Sequence, residues 1–284
     1  MTEMLWLNGE FVAAAEASVS VYDRGFLFAD SVYEVVPVFS GRFFLLEPHL
    51  DRLEYSLQAL NMSLPYSKAE LAEVFQAVVA KNGGGDLAVY CQITRGVGTK
   101  RDHVYSKQKH RPTVLVMAQP IERPNYTSTY SAIVQPDIRW HRADIKSTSL
   151  LPNIMLKQQA EDAGAAEAIL HRDGLVTEGA ATNVFVVQAG KVMTPPKSHW
   201  LLGGITREVV IQYLHEMGTE IHETDITLET LKLADEVWMT SSAKGALPIG
   251  QLKFSPSEVI RVGNESLGPV WRQLNDYFWS KIPV

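Results

Sequence analysis

Strand-like and helix-like stretches follow one another irregularly along this chain, and that order constrains the fold more than any single motif does. The first half predicts hairpin strands around Asn8-Gly9, a pair that favours a type I′ turn. It also predicts helices on which apolar residues recur every three or four positions. The second half mixes both kinds of element without a strict strand–helix–strand alternation. This order favours an α+β fold in two domains over a doubly wound parallel sheet.

A short proline-containing stretch marks the expected division between the two domains. Residues 120–125 hold two prolines and a charged pair, a composition typical of linkers. We therefore predict a small N-terminal α/β domain at residues 1–119, an interdomain linker at 120–125 and a larger C-terminal domain at 126–284. Residues 95–112 form a long, polar and basic segment, and long loops of this kind in compact domains are commonly functional.

Composition narrows the classes of function. The net charge is −6 and the pI is near 5.8, whereas nucleic-acid binding needs a clustered basic surface. Cys91 is the only cysteine, so an intrachain disulfide and a thiolate zinc cluster are both excluded, and we predict no metal site. The sequence begins without the charged and apolar regions of a secretory signal, and no apolar run approaches the ~20 residues that cross a bilayer. We expect a cytoplasmic protein with neither nucleic acid nor membrane as a partner.

Lys146 is the first candidate catalytic residue. It follows a predicted strand and a short polar stretch, and it precedes the apolar pair Leu150-Leu151. A lysine that faces inward at the end of a strand can form a Schiff base once its ammonium loses a proton, and burial and nearby cations favour that loss. Most lysines lie exposed in solvent instead, so this position alone does not decide the chemistry.

Three further patterns suit a ligand that is both flat and anionic. Glu178 precedes a stretch of small residues, which let a flat ligand approach the backbone beside a carboxylate. Gly203-Gly204 precede a helix whose first N–H groups could bind phosphate, although Thr206 could also serve only as its N-cap. Arg101 and His103 share one face of an extended chain and could hold a carboxylate, or simply form a charged loop tip.

These patterns together supply an amine nucleophile, a carboxylate for a ring nitrogen, a phosphate site and a carboxylate-binding pair. A pyridoxal phosphate (PLP) enzyme that acts on amino acids needs this set. The chain also resembles the fold-type IV PLP enzymes, and within them the D-amino-acid aminotransferases. The likeness is carried, in chain order, by the segments DRGFLFADSVYEVV, HLDRL, QITRG, DIRW, DIKS, LLPNIMLKQQA, AILHRDGLVTEG, NVF and GGITREVV. The resemblance implies a two-domain α+β fold-type IV PLP-enzyme (D-amino-acid aminotransferase-like) fold, with residues 126–284 as the PLP-binding domain.

The resemblance also implies a role for each site residue. Lys146 forms the Schiff base with the cofactor and moves the substrate's proton, and Arg139 lies next to the site without contacting the cofactor. The residues implied to bind PLP are Arg52, Glu178 (at the pyridine nitrogen), Leu202, Ile205, Thr206, Ser241 and Ser242. The residues implied to bind the substrate's α-carboxylate are Tyr33, Arg101 and His103, of which the last two act across the interface of a homodimer.

The expected reaction is ping-pong transamination between a D-amino acid and a 2-oxo acid, and the expected pair of substrates is D-alanine and 2-oxoglutarate. Two alternatives use the same fold. They are a branched-chain L-amino-acid aminotransferase, expected to lack the Arg101/His103 pair, and an aminodeoxychorismate lyase, which would use Lys146 for elimination. A PLP-binding protein without turnover is a more distant alternative.

Two segments depart from the family's type sequence. Ala180-Ala181-Thr182 replaces a serine-rich stretch, so we expect fewer hydrogen bonds near the cofactor. The loop Gly96 to Lys100 is one residue longer, which changes the reach expected for Arg101 and His103.

Overall fold

The computed structural model describes residues 3–105 and 111–282, and the chain divides into two compact units. The first comprises the described residues up to Glu122 together with Ile145–Ser149, and the second comprises Arg123–Asp144 and Leu150–Ile282. The segment that carries Lys146 therefore belongs to the first unit, although the chain on both sides of it belongs to the second. The predicted division at one linker had placed this segment in 126–284, because chain order alone does not show which strand a five-residue stretch joins.

The first unit is an antiparallel sheet with two longer helices packed on it. Its strands run in the order β2-β1-β6-β5-β3-β4. A 3₁₀ turn at Ala14–Glu16 follows the second strand. The elements are β1 (Met4–Leu7), β2 (Glu10–Ala13), α1 (Arg24–Phe28), β3 (Ser31–Phe39), β4 (Arg42–Phe43), α2 (Leu46–Ala59), α3 (Lys68–Lys81), β5 (Leu87–Thr94) and β6 (Val114–Pro120).

The predicted helical periodicity accounts for the packing of this unit. Leu50, Leu53 and Leu57 lie on one face of α2 and are fully buried, and each such leucine stabilises the fold by about 1.5–3 kcal/mol. Ser67 and Glu70 form a capping box at the start of α3. These apolar faces hold α2 against β3 and α3 against β5 and β6, so α2 is a rigid support for the residues that face β3.

The second unit contains a larger mixed sheet with helices. Its strands run in the order β12-β11-β10-β13-β14-β7-β8-β9, and β15 pairs with β14. The pairs β11–β12, β14–β7 and β7–β8 are parallel, and the other pairs are antiparallel. The elements are β7 (Tyr130–Pro136), α4 (Leu151–Asp162), β8 (Glu167–Arg172), β9 (Leu175–Gly179), β10 (Asn183–Gln188), β11 (Lys191–Thr194), α5 (Ile205–Glu216), β12 (Ile221–Glu223), α6 (Leu228–Lys232), β13 (Glu236–Ser241), β14 (Gly245–Ser255), β15 (Glu258–Arg261) and α7 (Pro269–Ser280).

A tight hairpin in the second unit positions the candidate carboxylate. Asp173 and Gly174 both have positive φ, 49° and 82°, as a type I′ turn requires. They join β8 to β9, and Glu178 lies in the buried part of β9. The mixture of antiparallel pairs, a few parallel pairs and separate helices confirms the predicted α+β class. Among the helices of the described residues, none is long and apolar enough to cross a membrane.

Candidate active site

The Ile145–Ser149 segment lies alongside β3 in the first unit. The backbone N–H of Tyr33 donates to the carbonyl of Lys146 (3.0 Å), and the backbone N–H of Lys146 donates to Ser56 Oγ on α2 (3.2 Å). The side chain of Ile145 is buried in the core of this unit. These contacts fix the backbone on both sides of Lys146, so its side chain projects from a rigid base.

The half-buried Lys146 amine faces an aromatic ring. Its Nζ lies 4.4 Å from the centre of the Tyr33 ring, and the Tyr33 ring stacks on Tyr90 with centroids 5.6 Å apart. A ring face attracts a cation without the full charge of a carboxylate. Two residues predicted for the site, Lys146 and Tyr33, are therefore neighbours within the first unit.

Arg52 is held in place by a buried carboxylate. Its Nε and Nη2 donate to the two oxygens of Glu34 at 2.7 and 2.8 Å, and His49 Nδ1 lies 2.8 Å from the same carboxylate. Burial raises the pKa of Glu34, but the Arg52 guanidinium and His49 more than offset this and bring the pKa down to about 2. The ionised Glu34 thus fixes the direction of the Arg52 guanidinium, which is largely buried.

Arg101 and His103 both lie close to the ring of Phe28. The Arg101 guanidinium is 5.1 Å from the centre of the Phe28 ring, and the His103 ring is 5.4 Å from it. Both side chains are exposed. The two side chains thus lie near the same ring in the first unit, and their convergence on one carboxylate stays a prediction. The remainder of the predicted basic loop, residues 106–110, lies outside the described residues.

Glu178 is a buried carboxylate with three donors in the second unit. Arg139 Nη1 and Asn183 Nδ2 donate to it, the latter at 3.0 Å, and so does the backbone N–H of Leu202 (3.0 Å). Burial raises the pKa of Glu178 above its usual value, and the Arg139 guanidinium offsets only part of that rise. A carboxylate held in this way is suited to accept a hydrogen bond from a protonated ring nitrogen.

Arg139 is oriented by a second carboxylate. Its Nε and Nη2 donate to Asp137 at 2.9 and 2.8 Å. Burial raises the pKa of Asp137, but its bonds with Arg139 and the charge of Arg172 lower it overall. Asp137 thus stays ionised and turns the remaining edge of Arg139 towards Glu178. Arg139 therefore lies beside Glu178, and its expected place next to the cofactor stays a prediction.

The start of α5 offers backbone donors in the second unit. Gly204 is the N-cap and makes no side-chain cap bond, and the helix begins at Ile205. Thr206 therefore lies inside the first turn and is not the cap. A Cβ at Gly204 would overlap Asn183 Oδ1. Uncapped first-turn N–H groups and the helix dipole favour an anion such as phosphate.

Four hydroxyls extend this polar surface of the second unit. Ser241 ends β13, Ser242 follows it, and both are half-buried. The buried Oγ1 atoms of Thr182 and Thr240 have no hydrogen-bond partner among the described residues. Buried hydroxyls normally have partners, so these orphaned atoms, the carboxylate of Glu178 and the uncapped helix start fit a flat ring that carries a phosphate.

Sequence reasoning missed the residues that hold the functional side chains. Asn183 binds Glu178 and also donates to the carbonyl of Leu202 (2.8 Å), Asp137 holds Arg139, and Glu34 holds Arg52. Glu34 and Asn183 both appear in the segments that carry the resemblance, and an acidic or amide residue on a buried strand is the signal that could have indicated them.

Comparison with known proteins assigns the family. Residues 31–252 match the model of the family described as amino-transferase class IV. The chain belongs to this family. It is 38% identical over 279 residues to a D-alanine aminotransferase of Listeria monocytogenes serotype 1/2a (strain 10403S), covering 97% of this chain and 95% of that protein. It is 35% identical over 278 residues to a D-alanine aminotransferase of Staphylococcus aureus (strain COL), covering 97% and 96%.

Solved structures agree with the class IV assignment. An Escherichia coli branched-chain amino acid aminotransferase superposes with a TM-score of 0.88 at 26% identity, covering 99% of this chain and 95% of that one. A T.th. branched-chain amino acid aminotransferase with pyridoxamine 5′-phosphate gives 0.87 at 26%, covering 98% and 93%. The expected fold-type IV architecture is confirmed, and so are the expected enzyme class, an aminotransferase, and its cofactor class, PLP.

Proposed function

We propose that this class IV aminotransferase transfers the amino group of a D-amino acid, and of D-alanine in particular, to 2-oxoglutarate. The observation that carries the choice of substrate is the Arg101/His103 pair, whose two exposed side chains both lie close to the ring of Phe28. A branched-chain L-amino-acid enzyme is expected to lack this pair. The D-alanine aminotransferases of Listeria monocytogenes and Staphylococcus aureus match nearly the whole chain, which supports the same choice.

Lys146 is the proposed catalytic residue. Its amine would bind the cofactor's aldehyde covalently and, once the substrate's amine displaces it, would take the proton from the substrate's Cα and later return one. When bound, PLP draws in the electron pair left at Cα through its protonated pyridine ring. The rigid backbone around Lys146 limits the motion of the amine between these two tasks.

The residues proposed to contact the cofactor bind three different parts of it: the ring nitrogen, the face of the ring and the phosphate. Glu178 keeps a proton on the ring nitrogen, because its burial and its three donors hold a carboxylate at a defined position. Leu202 packs against the ring. The proposed phosphate ligands are Arg52, the backbone N–H of Ile205, and the hydroxyls of Thr206, Ser241 and Ser242. A dianionic phosphate is suited to this set, which combines a guanidinium with helix N–H groups.

The substrate's α-carboxylate is assigned to Tyr33, Arg101 and His103. Arginine binds a carboxylate through two parallel N–H groups, and histidine adds a further donor. We propose that Arg101 and His103 act on the site of a second copy of the chain, so the functional form is a homodimer. The cytoplasmic location expected from the sequence stays a prediction.

A panel of amino donors tests the proposal. Purified enzyme with PLP is assayed with both enantiomers of alanine and leucine against 2-oxoglutarate, and for pyruvate release from aminodeoxychorismate. We expect turnover with D-alanine and little with L-leucine. Turnover of L-leucine alone would favour the branched-chain activity, which the solved structures of similar fold represent. Pyruvate release from aminodeoxychorismate would favour the lyase. A single-turnover spectrum that does not change with any donor would favour a carrier.

A further inference from the structure

The first unit contains a largely buried arginine whose guanidinium binds backbone carbonyls. Arg24 begins α1 and is only 6% exposed. Its Nη1 donates to the carbonyl of Asp102 (2.6 Å), and its Nη2 donates to the carbonyl of His103 (3.1 Å). Its Nε donates to Asp30 Oδ2 (2.8 Å). Every nitrogen of this side chain is therefore engaged, and two of the three bonds hold the backbone of one short segment.

The held segment is the one that carries the carboxylate-binding pair. The carbonyls of Asp102 and His103 belong to the two peptide units that flank His103. Fixing them restricts the origin of the His103 side chain directly, and that of Arg101 through the one residue between. α1 also supplies the surface between the two side chains. Phe28 is the last residue of α1. The Arg101 guanidinium lies 5.1 Å from the centre of the Phe28 ring, the His103 ring 5.4 Å from it, and the Arg24 guanidinium 4.9 Å from it.

An arginine is needed at this position for geometric reasons. A guanidinium presents parallel N–H groups in a fixed plane, whereas a lysine ammonium is a compact charge that does not reproduce the fork. Asp30 orients that plane and is shared with Arg95, whose Nε lies 2.8 Å from the same oxygen. Burial raises the pKa of Asp30, but the two arginines lower it overall and keep it ionised.

We infer that Arg24 is a positioning residue for substrate binding, which acts by fixing the Asp102 and His103 carbonyls so that Arg101 and His103 present their side chains together to the substrate's α-carboxylate. The inference rests on the proposed function of that pair. Arg24 itself touches neither substrate nor cofactor in this assignment. Its removal should therefore weaken substrate binding more than it slows the chemistry.

The test compares Arg24→Met, Arg24→Lys and the matched control Arg95→Met in the PLP-loaded enzyme. Arg95 binds the same Asp30 oxygen, but its other side-chain hydrogen bond goes to the carbonyl of Leu60 (2.8 Å) rather than to those of Asp102 and His103. Its guanidinium also lies 4.0 Å from the centre of the Tyr105 ring, so its effect on the segment is expected at Tyr105 and not at residues 101–103. We expect Arg24→Met to raise KM for D-alanine about tenfold or more, since two charge-assisted bonds are lost, with kcat nearly unchanged. We expect an intermediate KM for Arg24→Lys and a normal KM for Arg95→Met.

Two readouts separate positioning from general destabilisation. Amide hydrogen exchange of residues 101–105 should be faster in Arg24→Met than in wild type, whatever the activity. In Arg95→Met, residues 101–103 should exchange as they do in wild type. The preference for D-alanine over D-alaninamide, which lacks the carboxylate, should fall in Arg24→Met alone. If Arg24→Met does not fold, the KM, kcat and hydrogen exchange of Arg24→Lys test the inference in its place.

Three outcomes would overturn the inference. They are an unchanged KM in Arg24→Met, an equal rise in both methionine variants, and unchanged exchange at residues 101–105. A wild-type enzyme that turns over no D-amino acid would instead refute the proposed function, and with it the substrate role given to Arg24. Normal wild-type turnover with an unchanged KM in Arg24→Met would refute this inference alone.

Discussion

The carboxylate of Glu34 shows how one residue links stability to the orientation of a functional side chain. It is fully buried, and it holds Arg52 and His49. A buried charge is tolerated only when its partners offset the loss of hydration. The same bonds that keep Glu34 ionised also direct the Arg52 guanidinium, so a change at Glu34 should affect both folding and phosphate binding.

We predict that Glu34→Gln lowers the free energy of unfolding at neutral pH by about 3 kcal/mol, because the pKa of Glu34 falls from 4.5 to about 2 on folding. The folded protein binds this proton less tightly than the unfolded chain does. The contribution is therefore complete above pH 4.5 and is lost as the pH falls towards 2. Urea unfolding across this range measures it.

The partly exposed carboxylate of Glu54, which pairs with Lys68, supplies the control for that measurement. Glu54→Gln should change stability by less than about 1 kcal/mol. A difference between wild type and Glu34→Gln that stays constant from neutral pH down to the acid range would contradict the assigned pKa.

A second prediction at this scale concerns Lys146. Lys146→Ala should reduce transamination at least about 10³-fold and leave the circular dichroism spectrum unchanged, because the side chain is half-buried and carries no core packing. Borohydride reduction of wild type with PLP should label the peptide that contains Lys146. The surface variant Lys68→Ala should retain normal activity, and activity in Lys146→Ala near the wild-type level would exclude the assignment.

At the scale of elements, the approach of α5 to β10 depends on a missing side chain. Gly204 precedes α5, and Asn183 begins β10. A Cβ at Gly204 would overlap Asn183 Oδ1, so the glycine allows the close contact. Because Asn183 also binds Glu178, this contact joins the helix start to the candidate ring-nitrogen carboxylate within the second unit.

We predict that Gly204→Ala lowers stability by about 1–3 kcal/mol and raises the dissociation constant of PLP, since Asn183 or the helix start must move. Gly203→Ala is the matched control, because its Cβ would lie 3.6 Å from Lys197 Cδ, an ordinary contact. Thermal unfolding with and without PLP, together with titration of PLP by fluorescence, measures both effects. Equal effects in the two variants would show that this close approach has no special role.

At the scale of the whole molecule, the first unit exposes a group of apolar side chains near α1. Phe26 is 70% exposed and Val21 is 67% exposed. Val19 and Tyr22 are also exposed and lie close to them in the chain. Val97 is exposed too, and its β-bridge with Asp23 brings it next to the same stretch. Exposed apolar groups of this kind mark interaction surfaces. They are consistent with the proposed homodimer, in which a second copy would cover them.

We predict that Phe26→Asp shifts the protein from dimer to monomer, because a charge replaces an apolar side chain at the proposed interface. Sedimentation velocity at several protein concentrations measures this shift. Leu233→Asp is the control, since Leu233 is 67% exposed but lies in the second unit after α6. Dissociation caused by Leu233→Asp and not by Phe26→Asp would place the interface elsewhere.

The local structure and the type of chemistry at the candidate site could be predicted from the amino-acid sequence alone. The leucine periodicity of α2, the capping box of α3 and the Asp173-Gly174 turn depend on residues within a few positions of one another, so their patterns are legible in the chain. The motifs around Lys146 and Glu178 indicated the aminotransferase family, which the comparisons confirmed.

The residues that hold the functional side chains could not be predicted from the sequence, because they lie far from those side chains along the chain. Arg24 lies 78 positions from Asp102, and Lys146 lies 90 from Ser56. The Ile145–Ser149 segment joins the first unit although its neighbours in sequence belong to the second. Such pairings depend on which distant strands and loops pack together, because a hydrogen bond forms between groups that are close in space whatever their separation in the chain. The sequence pattern around a residue therefore does not show which distant residue it will contact.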